Sequence, residues 1–77
     1  METFFGYMLQ FINEDSSRGD LARDMQRVQK MNPLEDLNAI STWPEMLSHL
    51  RSNHADPAAI KTAFRCWRNY EPPRDAA

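Results

Sequence analysis

The apolar residues of this chain recur every three or four positions, and no stretch reads as a strand. Phe4, Met8, Phe11 and Ile12 share one helical face near the start, widened by Phe5 and Leu9. Leu21, Met25 and Val28 repeat at i, i+4, i+7. Trp43, Met46, Leu47 and Leu50 make a third stripe, and Ile60, Phe64 (with Ala63), Trp67 and Tyr70 a fourth. Such spacing gathers apolar side chains on one side of an α-helix, where they must be buried. The expected fold class is all-α.

Local signals place the helix ends. Thr3 is a good N-cap, and the first helix is expected over residues 4–13, largely buried. Gly6 inside it costs about 1 kcal/mol in propensity, which suggests a close approach by another segment. "NEDSSRGD" is a polar break in which Asp15, Ser16 or Ser17 can cap and Gly19 can take left-handed angles. A second helix follows over 20–31, with Asp20–Arg23 and Asp24–Arg27 as i, i+3 ion pairs. Asn32-Pro33 is a boundary. Asn32 can also cap a short turn, with Pro33 first and Glu35 completing the box. Residues 32–40 are therefore expected as a loop with one helical turn, its Leu34, Leu37 and Ile40 tucked under the helices. Thr42-Trp43-Pro44-Glu45 has the pattern of a capping box and starts a third helix, 43–53. Asp56-Pro57 starts a fourth, 57–70. The result is a compact bundle of four short helices forming one domain over 1–70, with 71–77 as a flexible C-terminal tail. Its expected core is Phe4, Phe11, Leu21, Met25, Leu47, Leu50, Phe64 and Trp67.

Size narrows the function. A chain of 77 residues buries only about 60% of its unfolded surface, so the core is marginal. The single cysteine, Cys66, excludes an internal disulfide and a thiolate-rich zinc site, and a free thiol points to the cytoplasm. "MLQFI" lacks the basic lead and small-residue cleavage site of a signal peptide, and no apolar run nears the roughly 20 residues of a membrane helix. A net charge of -2 gives no general attraction to polyanions.

"TFFGYM", "GDLARD" and "WRNY" carry a resemblance that covers residues 3–70. The chain resembles the YozE-like family of small bacterial proteins, as a divergent member or a mobile-element copy. Thr3, Phe4, Phe5, Tyr7 and Met8 match its opening motif. Leu21, Ala22 and Asp24 match its second, and Trp67 and Tyr70 its closing W-x-x-Y. Val28 stands where the family has an aspartate, and His49-Leu50 replaces Tyr-Leu. The resemblance implies a sterile-alpha-motif-like fold of four short helices. It implies no reaction and no catalytic residues.

Candidate chemistry is sparse. Cys66 lacks a fixed base, and His49 and His54, five apart, miss the i, i+4 spacing of a helical metal pair. Neither catalysis nor a cofactor is expected. Helical geometry sorts Phe64, Trp67 and Tyr70 inward and Arg65 and Arg68 outward, which favours core over a base-stacking platform. The expected function is non-enzymatic binding of a protein partner through the apolar edges Tyr7, Leu34, Leu37 and Trp43. A variant is a phage or mobile-element inhibitor of a larger complex, with Glu14, Asp15, Glu35 and Asp36 imitating phosphates. Self-association also fits. The alternative is binding of DNA or RNA through Arg23, Arg27 and Lys30 on the second helix and Lys61, Arg65 and Arg68 on the fourth.

Overall fold

The computed structural model describes residues 3–70; the expected tail, 71–77, lies outside the described residues. The elements are α1 (Phe4–Leu9), α2 (Ser17–Met31), a 3₁₀ turn (Leu37–Ala39), α3 (Trp43–Ser52) and α4 (Pro57–Tyr70). No strand occurs among the described residues. The fold is all-α, with four short helices and one extra helical turn in the 32–40 loop.

Each helix starts where its capping residue dictates. The Thr3 hydroxyl accepts the Gly6 N–H at 3.0 Å, and the Ser16 hydroxyl accepts that of Gly19 at 3.2 Å. Thr42 accepts the Glu45 N–H at 3.3 Å while the Glu45 carboxylate takes the N–H groups of Ser41 (3.0 Å) and Thr42 (3.1 Å). Asp56 accepts the Ala59 N–H at 2.8 Å and opens α4. α3 closes in a Schellman motif, with Ala55 N–H on Leu50 O and His54 N–H on Arg51 O. His54 takes the left-handed position there, at φ 60°.

Three boundaries differ from expectation, that of α3 by a single residue, at Ser52 rather than 53. α1 stops at Leu9 rather than running to residue 13, because the chain tightens into successive i→i+3 bonds, including Phe11 N–H to Met8 O at 2.9 Å. α2 starts at Ser17, three residues early, since Ser16 is the cap. The helical turn of the 32–40 loop is capped by Asp36, whereas Asn32 closes α2.

The glycines also exchange roles. Gly6 is exposed, and a Cβ there would meet only the Thr3 hydroxyl, at 3.2 Å. Gly19 does not adopt a positive φ; it is buried, and a Cβ would lie 2.0 Å from the Glu14 carbonyl oxygen. The close approach therefore occurs where α2 begins.

α4 is the hub, packing against α1, α2 and α3. Its Ala63, Cys66 and Trp67 are buried, and Trp67 meets Phe4 at 4.7 Å between ring centroids, Tyr70 at 5.5 Å and Trp43 at 6.0 Å. Tyr7 extends this aromatic seam to Phe11, on whose ring the Arg18 guanidinium sits at 4.1 Å. The Trp67 N–H meets no acceptor among the described residues. That costs about 1–3 kcal/mol, less than burial of an indole of 150–250 Å² contributes. Phe4, Phe11, Leu21, Met25, Leu50 and Trp67 form the core as expected, joined by Met8, Leu37 and Met46.

Two expected core residues do not belong there. Leu47 is half-buried, its place taken by Met46. Phe64 is 44% exposed. The buried arc of α4 centres on the small residues Ala63 and Cys66, and Phe64 lies about 100° round the helix from Ala63, at the edge of that arc.

Candidate functional site

Among the described residues the most exposed large apolar side chains lie where α2 ends. Met31 is 72% exposed and Leu34 wholly so, at 102%. Between them Asn32 to Glu35 forms a tight turn, closed by the Glu35 N–H on Asn32 O at 3.0 Å. Pro33 fixes the turn's second residue and puts Leu34 at its tip. Together with Asn32, Pro33 and Glu35 these side chains border a shallow concavity of about 510 Å³.

Contacts from α2, α3 and the core brace this knuckle. The Gln29 amide, reaching from α2, donates to Asn32 O (3.3 Å) and Glu35 O (2.6 Å) and accepts the Leu37 N–H (2.7 Å). The Glu35 carboxylate lies 3.1 Å from Nδ1 of His49, a buried residue of α3 that Asn53 also contacts. Leu37, one of the expected contact residues, is instead the plug that fixes the loop, 1% exposed in the core. The Thr3 hydroxyl bonds Asn38, tying the 3₁₀ turn to the start of α1.

The other expected contacts sort as follows. Tyr7 and Trp43 are half-buried rim residues, with their rings in the aromatic seam. Three of the four acidic candidates are engaged within the chain. Glu14 accepts from Arg18 and then from Ser16, which holds its carboxyl below the usual range, Glu35 faces His49, and Asp36 caps the 3₁₀ turn. Asp15 is exposed.

The two basic stripes are not equivalent. On α2, Arg23 is held by Asp20 and by the carbonyls of Ile12 (2.7 Å) and Glu14 (3.1 Å), and Arg27 is paired with Asp24. Lys30 is exposed. On α4, Lys61, Arg65 and Arg68 are all exposed on a helix without an acidic residue. Phe64 lies among them, its ring 5.2 Å from Trp43 and 5.9 Å from the Arg68 guanidinium.

Elsewhere the chemistry is quiet. Cys66 is buried, and desolvation pushes its thiol above the ordinary value, away from the thiolate that nucleophilic chemistry uses. A groove of about 480 Å³ runs between α2 and the start of α4. Its carboxylates are already committed, Asp20 and Asp24 to arginines and Asp56 to its cap. Among the described residues no group of three His, Cys, Asp or Glu could hold a metal ion, and no helix is long and apolar enough to cross a membrane.

The three-residue spacing of Leu34, Leu37 and Ile40 predicts all three under the helices; Leu37 is buried and Ile40 half-buried there, but Leu34 is wholly exposed, because the Asn32–Glu35 turn carries it outward. Met46, His49 and Leu50 share one face of α3, and that i, i+3, i+4 spacing is the signal that marks His49 as buried. Gln29 gave no signal, because its three partners lie up to eight residues away in an irregular loop. A scan of protein-family models and searches of curated proteins and of solved structures find no match to this chain.

Proposed function

We propose that this chain is a non-enzymatic cytoplasmic interaction domain that binds another protein, and that the Met31–Leu34 knuckle is its point of contact. One observation carries this reading: a leucine with no intramolecular burial stands at the tip of a turn braced by Gln29 and by the Glu35–His49 contact. Burying such a side chain against a partner contributes about 1.5–3 kcal/mol. A turn held in place before binding loses little conformational freedom when it docks, so more of that gain remains as affinity. The reading does not use phosphate mimicry, since Glu14, Glu35 and Asp36 already have partners in the chain.

The resemblance to YozE-like proteins is compatible with a binding role but supplies no partner. The test is a photo-crosslinking amino acid at position 34, introduced in the cells that encode the chain, with position 65 as control. The expected result is a discrete protein adduct at position 34 that is lost when Met31 is also replaced by Asp. The same adducts from both positions, or none from 34, would end the reading.

A further inference from the structure

We propose that the outer face of α4 binds single-stranded nucleic acid, with Phe64 stacking on one base and Lys61, Arg65 and Arg68 on neighbouring phosphates. The observation behind it is independent of the knuckle. α4 carries three cations and no acid, and all three point away from the core. They form a row about 10 Å long at 1.5 Å rise per residue, enough to follow a few phosphates of a flexible strand. Among the described residues this row has no acidic partner, whereas Arg23 and Arg27 are tied to Asp20 and Asp24, on a chain whose net charge is -2.

Charge alone would suit any polyanion. Phe64 narrows the class. It is 44% exposed, on the same side of the helix as the cations, and Trp43 backs it edge-on at 5.2 Å, which keeps the ring from folding away. Arg68 lies over it at 5.9 Å, so a stacked base would have a guanidinium beside it, ready for its phosphate. Aromatic surface set among cations is how proteins hold unpaired bases, and a paired duplex hides those base faces. The ligand class is therefore a phosphodiester strand with unpaired bases, DNA or RNA.

The experiment is fluorescence anisotropy with a labelled 15-nucleotide oligothymidine, its oligouridine counterpart and a duplex of the same length, between 20 and 200 mM salt. A Kd of about 1–100 µM at the lowest salt is expected for either single strand, with weaker duplex binding. The slope of log K against log salt should be near -2, about 0.7 for each of three phosphates. Arg65→Gln should reduce that slope by about 0.7. Phe64→Leu should lower affinity about tenfold with the slope unchanged. Circular dichroism of each variant confirms that it is folded, and Lys61→Gln repeats the slope test at a second exposed position. No single-strand binding at 20 mM salt, a duplex bound as tightly, or a Phe64→Leu variant of unchanged affinity would each overturn the proposal.

Discussion

At the residue scale, two side chains carry most of what is specific to this molecule, and one of them is a hydrogen. Gly19 lets α2 start against the Glu14 carbonyl; the missing Cβ is the reason that contact exists. In an open helix, glycine to alanine stabilises by about 1 kcal/mol. Here the sign reverses. Gly19→Ala should destabilise by about 2 kcal/mol or more, because backbone rather than a flexible side chain must move. Urea denaturation of the variant checks this, and a gain in stability would show that the α1–α2 crossing is looser than described. Neither Gly19 nor Phe64 could be placed from spacing. Gly19 is defined by a segment five residues away doubling back, and Phe64 by the buried arc of α4 centring on Ala63 and Cys66, smaller residues than the rings beside them. Periodicity weights a phenylalanine as interior whatever its neighbours, and the helix orients by what fits against α1, α2 and α3.

At the element scale the sequence was far more legible, because caps are local. Thr3, Thr42 and Asp56 each act within three residues of themselves, so the starts of α1, α3 and α4 follow from the chain alone. The end of α1 and the brace around Leu34 depend on i→i+3 winding and on distant partners, and no short pattern encodes them. The α3 cap also makes a pH prediction. Hydrogen bonds from the Ser41 backbone, then from the Thr42 side chain and backbone, hold the Glu45 carboxyl below its usual range. A carboxyl lowered in the folded state stabilises it above the unfolded value, about pH 4.3, and that contribution is lost as pH falls through the lower folded value. The stability difference between the wild type and Glu45→Gln should therefore be constant near neutrality and shrink below about pH 4.3. Thr42→Ala, which breaks the box from the other side, should cost about 1 kcal/mol, some 4–8 °C in a domain of this size. Thermal melts across pH 3–7 measure both, and a wild-type-minus-variant difference that grows with acid would reverse the assignment.

At the scale of the whole molecule, α4 organises a small aromatic core while two surfaces remain outside it. Trp67, Phe4 and Tyr70 join the helices, with Leu37 anchoring the long loop from below. The loop spends its other leucine on solvent, and a chain of 77 residues has few apolar side chains to leave unburied. The fold does not use Leu34, whose side chain lies wholly outside the core. Thermal unfolding of Leu34→Asp beside Leu37→Asp tests this most directly. Leu34→Asp should melt within about 4 °C of the wild type, as substitutions on a free surface do, while Leu37→Asp should lose most of its cooperative transition. A drop of more than about 8 °C for Leu34→Asp would contradict the account, since that leucine would then be serving the fold.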